Sequence, residues 1–380
     1  MDRFWDYRSK FRTCALTVFA VLSLLLSWAD NSDGGDVTNY RLASFENLHG
    51  ARSKFNHFTV NNRTGIVYIG AENALYRVDA DFEQLQECAI VYQCDDSDQE
   101  CINYNKILLV DYANDELITC GSQNAGMCEV RDLDDIRSVN TEKGEGVFVA
   151  SARDLTTEAI IAGDSLFVAA TFDGDRYFME NLKIPPMCRR TLGDNGYLTY
   201  RTNQKLLFET SSVSTVPFLI NYVSSFVFGQ FVYFVSQQRM DFYSDDAYDK
   251  TYVSKISRVC VNSANIKSYA EIWIECRSGE TGSSYNLVQS AHVGTAGPEL
   301  AHSLGIAADD RLLYAVFSKH TGDDGSVPSN SSAMCVFKMR DVESQFIDAI
   351  YGCLSHGNDY GLGYLLGSNC PGYGDVSTQF

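Results

Sequence analysis

The stretch from Asn103 to Leu133, NYNKILLVDYANDELITCGSQNAGMCEVRDL, constrains the fold more than any other part of the chain. It reads as three short strands joined by tight turns. Lys106–Val110 is an apolar run, Asp111–Asp115 a turn cluster and Glu116–Cys120 a second run; a Gly/Ser/Asn/Gly turn then leads into Met127–Arg131. Cys120 and Cys128 flank that last turn, where a disulfide would staple the second strand to the third. Stacked copies of such a meander build the blades of a β-propeller. Propellers of this kind mostly bind other proteins, so the expectation is a binding module and not an enzyme.

The rest of the chain supplies the context. Arg3, Arg8, Lys10 and Arg12 precede the apolar run Cys14–Trp28, and Ser27 and Ala29 suit a cleavage site before Asp30. Residues 1–29 therefore read as a signal peptide, with an uncleaved signal anchor as the alternative; the run is shorter than the roughly 20 apolar residues that span a bilayer. The secretory route implies an oxidising compartment in which cysteines pair. Of the 12 cysteines, Cys14 leaves with the signal, and the odd remainder implies one thiol without a partner in this chain. No spacing suits zinc. Sequons at Asn62 and Asn330 agree with a secreted or surface protein. A formal charge of −19 argues against nucleic acid and anionic lipid and favours partners with basic surfaces.

Helical periodicity is nearly absent, and strand-like runs recur every 50–60 residues or so, within the range of propeller blades. A first meander runs over Phe55–Val60, Ile66–Gly70 and Ala74–Val78, with Ala89–Tyr92 as a candidate fourth strand. The second is Lys106–Arg131 with Gly146–Ser151 outside it. The third is Glu158–Ile161, Ser165–Thr171 and Tyr177–Leu182. The fourth is Tyr222–Phe228, Phe231–Gln237, Tyr252–Cys260 and Ala270–Glu275, and the fifth Leu287–Val293, Leu312–Ser318 and Ala333–Met339. One helix is expected, over Asp341–Tyr351, where Val342, Phe346, Ile347 and Ile350 share a face. Gly352–Phe380 reads as loop.

Several of these segments, in this order, resemble a sema domain: FNHFTVNNRTGIVYIGAENALYRVDADF at Phe55–Phe82, the Asn103–Leu133 meander, FVYFVSQQR at Phe231–Arg239, YVSKISRVC at Tyr252–Cys260, SYAEIWIEC at Ser268–Cys276, YNLVQSAHVG at Tyr285–Gly294, and the helix ending in Tyr351–Cys353. Within that superfamily the wording is most similar to plexins. The resemblance covers about residues 40–370 and implies an all-β, seven-bladed β-propeller of the sema type, here truncated to about five blades plus an N-terminal closing strand near Asn39–Ser44, with residues 37–380 as the incomplete domain. It also implies disulfides. Cys120–Cys128 matches a family staple, Cys94–Cys101 resembles the one before it, Cys276 resembles the partner of Cys335, and Cys353–Cys370 resembles the next. Cys260 resembles a position whose partner lies beyond Phe380. Cys88 and Cys188 have no counterpart; they pair with each other or stay as buried thiols.

The resemblance implies a semaphorin as protein partner, with receptor self-association or a co-receptor as further contacts. It implies a place at the cell surface, held to the membrane through a region missing from this chain. No cofactor or metal is expected. The acidic loop Asp95, Asp96, Asp98, Glu100 lacks EF-hand spacing and reads as solvated, and Gly361–Gly367 lacks the spacing and following helix of a dinucleotide motif. The six histidines form no HExxH pair, and His57 and His292 read as ordinary strand residues. Arg239–Lys250 (RMDFYSDDAYDK) mixes the Tyr, Arg and Met that interfaces favour; Arg239, Tyr243, Asp245, Asp246 and Lys250 are the candidate partner-binding residues. The expected function is recognition of a semaphorin by the outer part of a plexin-like receptor. The rivals are a semaphorin-like ligand and, more remotely, a propeller enzyme with convergent acids and histidines on its channel.

Overall fold

A computed structural model describes residues 54–90, 102–123, 126–142, 155–171, 187–192, 220–240, 251–263, 268–321 and 325–356, with Phe45, Val149, Arg153, Leu198 and Ile266 as isolated points. Five antiparallel meander sheets follow one another along the chain. The first is β1 (Phe55–Val60), β2 (Val67–Ala71), β3 (Ala74–Val78) and β4 (Gln84–Ala89). The second is β5 (Asn105–Asp111), β6 (Glu116–Gly121), β7 (Cys128–Asp132) and β8 (Val139–Glu142). The third has β9 (Thr157–Ala162), β10 (Ser165–Ala170) and β11 (Met187–Thr191). The fourth, with the longest hairpin, is β12 (Ile220–Phe228), β13 (Phe231–Arg239), β14 (Tyr252–Cys260) and β15 (Ala270–Ile274). A two-residue hairpin, β16 (Cys276–Arg277) with β17 (Ser284–Tyr285), precedes the fifth sheet of β18 (Leu287–Thr295), β19 (Arg311–His320) and β20 (Pro328–Lys338). Helix α1 (Pro298–Leu304) lies between β18 and β19, and α2 (Met339–His356) follows β20.

The sheets stand side by side about a common axis. Their first strands touch in succession: β1 with β5, β5 with β9, β9 with β12 and β12 with β18. Each adjacent pair encloses its own core, because strand side chains alternate between the two faces of a sheet. Tyr68 and Leu75 face Leu108, Val110 and Leu117 between sheets one and two. Ile107, Ile118 and Val130 meet Leu166 and Val168 between two and three. Phe167 and Met187 meet Phe234 and Val259 between three and four, and Tyr233 and Val235 meet Leu313, Ala315 and Phe317 between four and five. This stacking of faces, with no barrel and no sandwich of two layers among the described residues, is the propeller arrangement.

Polar stitches join the first strands along the axis. The Asn105 amide donates to Asn56 Oδ1 (3.2 Å). Lys106 Nζ donates to the Arg153 and Leu155 carbonyls (3.0 and 2.6 Å). Ser225 Oγ donates to Glu158 Oε2 (3.1 Å), and Ser224 Oγ to the Ala291 carbonyl (2.8 Å). These bonds pair polar groups of one blade with the next, as buried polar atoms favour.

Three outer strands fall elsewhere than the sequence indicated. The fourth strand of sheet one is β4 at Gln84–Ala89, not Ala89–Tyr92. That of sheet two is β8 at Val139–Glu142, not Gly146–Ser151, and β10 pairs with β11 at Met187–Thr191, not with Tyr177–Leu182. QLQECA and VNTE carry little apolar signal, and MCRRT of β11, although buried, mixes Met and Cys with two arginines, so neighbouring apolar runs read as the strands. The C-terminal helix is longer than Asp341–Tyr351, and its end takes up Gly352–His356, which had read as loop. Helix α1 was not foreseen. The segments expected at Asn39–Ser44, Tyr177–Leu182 and Gly361–Gly367 lie outside the described residues.

Candidate interaction surface

Strand order fixes the two faces of the disc. Because consecutive strands are antiparallel and the first strands run the same way, the first-to-second and third-to-fourth connections of every sheet emerge on one face. The second-to-third and sheet-to-sheet connections emerge on the other. On the first, or turn, face the first-to-second connections of sheets one to four are short, Asn61–Ile66, Tyr112–Asp115, Gly163–Asp164 and Gly229–Gln230, while that of sheet five, 296–310, is long and carries α1. At the second, or loop, face lie the strand ends that flank 91–104, 240–251, 275–286 and 321–327. The segment singled out in the sequence, Arg239–Lys250, thus starts on this face, as does the connection that follows β19 at His320 on the adjacent sheet. Long loops on a rigid scaffold are where recognition concentrates.

The bases of these loops are pinned. The Met240 amide donates to the Thr251 carbonyl (2.9 Å), which closes the 240–251 loop at its root. Ser254 Oγ donates to the Asn286 carbonyl (2.6 Å) and accepts from the Val288 amide (2.8 Å); Asn286 Nδ2 donates to the Tyr252 carbonyl (2.8 Å) and Gln237 Nε2 to the Val288 carbonyl (2.6 Å). These bonds lock the loop end of sheet four to the start of sheet five. The His320 ring nitrogen lies 3.3 Å from Asn286 Oδ1, and Lys319 Nζ sits 5.0 Å over the Tyr285 ring. The Cys276–Cys335 disulfide ties β16 to β20 beside them. Met240 and Val327 stand 48% and 43% exposed on this platform, apolar side chains in a polar surround. The arrangement can hold the roots of loops at a fixed spacing; among the described residues of this surface it brings no acid–base pair together.

Of the candidate partner-binding residues, Arg239 is corrected by the structure. It is the last residue of β13, paired with Tyr252, and only 2% exposed, so its side chain is packed into the fold and not offered to a partner. A charged residue at the end of an apolar run reads as the start of a loop, but the hairpin register carries the strand two residues past Gln237. Tyr243, Asp245, Asp246 and Lys250 lie outside the described residues, as do the acidic loop and Cys94 and Cys101. The Cys120–Cys128 disulfide is present across β6 and β7. Cys353 is disulfide-bonded too, and Cys370 lies outside the described residues. Cys88 and Cys188 are thiols, which excludes their pairing with each other: Cys88 sits on β4, half-buried, and Cys188 is buried on β11 two sheets away. Asn62 is exposed in the β1–β2 turn; Asn330 is exposed too, on edge strand β20 and not in a loop. His57 and His292 are exposed strand residues.

On the turn face the groups are paired with one another. Arg63 Nη1 meets Asp115 Oδ1 at 2.7 Å and its other nitrogen donates to the Tyr112 carbonyl (2.9 Å). Arg189 binds Asp164 (3.1 Å) and the Ser263 carbonyl, which ties sheet three to sheet four. The Ser165 hydroxyl, then Arg189, hold the Asp164 carboxyl below the usual carboxylate range. Surfaces already committed to internal ion pairs have less to offer a partner.

Residues 288–365 match the family model described as Sema domain. The chain is 30% identical over 345 residues to plexin-A4 of Danio rerio and 28% identical over 347 residues to plexin-A4 of Mus musculus, which covers 82% and 83% of this chain. It spans 18% of the length of each. In structure it is similar to the plexin A4 full extracellular region at 26% identity and a TM-score of 0.66, over 79% of this chain and 35% of that one. Drosophila semaphorin 1a, extracellular domains 1–2, shares the fold at 19% identity and a TM-score of 0.51, over 78% of this chain and 55% of that one. Fold and sequence together define a sema-type propeller. Within that class the chain carries a plexin-like sema domain, a module of an extracellular, receptor-type family.

Proposed function

We propose that this chain is the ligand-reading region of a plexin-like cell-surface receptor and that it binds a semaphorin, itself a sema propeller, through its loop face. The observation that carries the reading is the match to plexin-A4 over 345 residues, which covers 82% of this chain. The pinned loop bases of sheets four and five support the choice of face. Affinity then comes from preorganisation: loops already held at their roots lose less freedom on docking than free loops would. The net charge of −19 favours a partner with a basic contact patch and raises the on-rate at low salt.

No bond is made or broken in this reading, and signalling passes to parts of the receptor outside this chain. Residues 1–29 serve as the signal peptide and residues 37–380 belong to the sema domain. The test is binding of the full receptor ectodomain to a panel of semaphorins displayed on cells. Saturable binding to at least one member is expected; binding to none refutes the receptor assignment while leaving the fold intact.

A further inference from the structure

A small polar cavity lies between sheets one and two at their loop-face end, beside the root of the 91–104 connection. Ala71 and Ile90 wall it from the side of sheet one, and Asn103, Asn105, Thr119 and Glu129 from the side of sheet two. The root itself is fastened: the Asn103 amide donates to Asn73 Oδ1 (2.7 Å), the Asn73 amide to the Asn103 carbonyl (2.9 Å) and the Ile90 amide to the Asn73 carbonyl (2.8 Å). Asn105 is buried, at 5% exposure. Its Nδ2 donates to Thr119 Oγ1 (2.9 Å). Its Oδ1 turns toward sheet one, where a Cβ on Gly70 would lie 2.4 Å from it. That oxygen is buried and accepts no hydrogen bond among the described residues. Glu129, also buried, has its Oε2 held by Arg131 Nε (3.0 Å), so its charge is balanced within the sheet.

We propose that this cavity binds one water molecule, which donates one proton to Asn105 Oδ1 and the other to the Glu129 carboxylate. A buried carbonyl oxygen requires a donor, and Gly70 has no side chain that could supply one. The cavity leaves about 10 Å³ for the centre of a water-sized sphere, enough for a single water, and its walls offer the two or more polar partners that such a water needs. A metal cation is the poorer occupant. Calcium and magnesium gather several oxygens with carboxylates among them, and the one carboxylate here is already matched by Arg131. The water joins β5 to β7 across Thr119 of β6 and fills the gap against Ala71 and Ile90. Sheet one can then close on sheet two over a glycine without leaving a polar atom stranded.

The test is a crystal structure of the full receptor ectodomain at a resolution that shows ordered waters. One spherical density peak is expected in the cavity, at hydrogen-bond distance from Asn105 Oδ1 and from the Glu129 carboxylate. An empty cavity overturns the proposal. So does a peak whose contacts are shorter than hydrogen bonds, the mark of a cation, and so does an Asn105 carboxamide that bonds Glu129 directly. In Asn105→Leu the peak should be lost, because the acceptor is gone; a peak that persists there means that Asn105 does not hold the water, which also overturns the proposal. If that variant does not fold, the map of the unsubstituted protein decides alone. None of these outcomes depends on what the loop face binds.

Discussion

The junction between sheets four and five and the junction between sheets one and two solve one packing problem with different chemistry. Sheets four and five meet through aromatic and aliphatic side chains. Tyr233 stacks on Phe226 at 5.0 Å and meets Phe346 of α2 edge-on at 5.8 Å. Arg258 lies between the rings of Phe231 (4.0 Å) and Phe346 (4.6 Å), and Tyr233 Oη donates to Glu343 Oε1 (2.8 Å). Burial first, then the bond to Glu343, pushes the Tyr233 phenol well above its ordinary range. Helix α2 thereby reaches back from sheet five to clamp sheet four. Sheets one and two have a smaller apolar core and rely on hydrogen bonds at defined points. The Leu133 carbonyl accepts from Tyr68 Oη (2.8 Å) and Arg77 Nε (3.1 Å), while Gln86 donates to the Asp134 carbonyl (2.9 Å) and accepts from the Ile136 amide (3.1 Å). The first junction is held by area and tolerates geometric slack; the second is held by direction and does not.

The largest effect that breaks the apolar junction is expected from Phe346→Ala. The ring is fully buried and touches Tyr233 and Arg258, so its loss should cost about 3–5 kcal/mol, read as a shift of the denaturant midpoint. Opening Cys276–Cys335 with a Cys276→Ser, Cys335→Ser pair should cost about 4 kcal/mol in the chain-entropy account, since the bond closes a 59-residue separation. A result near zero would mean that the packing alone holds the sheets.

The polar junction is probed by two glycines where no side chain fits. A Cβ on Gly121 would lie 2.0 Å from Asn103 Oδ1, and one on Gly70 2.4 Å from the Asn105 carboxamide. Both asparagines are buried, and Asn103 Oδ1 accepts from the Gln123 amide (3.2 Å). Gly121→Ala should therefore cost about 1–3 kcal/mol, with faster hydrogen exchange confined to sheets one and two. Arg77→Ala should cost about 1 kcal/mol, because Tyr68 still serves the Leu133 carbonyl. Arg63→Ala, at an exposed pair, should cost under about 1 kcal/mol and less in high salt.

A separate test concerns pH. Burial pushes the Glu158 carboxyl up to about 7, and the bond from Ser225 pulls it partly back. Its folded value lies above the unfolded one. At low pH it is protonated in both states and contributes nothing. As pH rises toward 7 the unfolded chain ionises first, and stability falls. Glu158→Gln should flatten that slope between about pH 4.5 and pH 7 in denaturation curves; an unchanged slope would place the titration elsewhere.

The inner parts of the sheets were legible in the sequence because they carry the apolar signal. The pairing Cys120↔Cys128 and the hairpin of β13 with β14 follow directly from runs of Val, Ile, Phe and Tyr between turn residues. What was illegible is what water and context decide. The outer strands β4 and β8 are polar on their solvent side. Helix α1 has only seven residues, PELAHSL, too short for a helical period, and owes its place to Pro298 at its start and to Leu312 and Tyr314 beneath it. Arg239 was misread because its charge spoke louder than its register. The loop face itself followed from strand order, which no single motif records, and only the Arg239–Lys250 segment was visible in advance.

One measurement bears most directly on the loop face as the partner-reading surface: semaphorin binding by the full ectodomain with an added glycan on either side of sheet four. Asp245→Asn with Ala247→Thr places a sequon in the 240–251 loop, and Ala264→Thr completes one at the exposed Asn262 on the turn face. The loop-face glycan should abolish binding and the turn-face glycan should leave it unchanged. Binding that survives the first and is lost with the second would contradict the account.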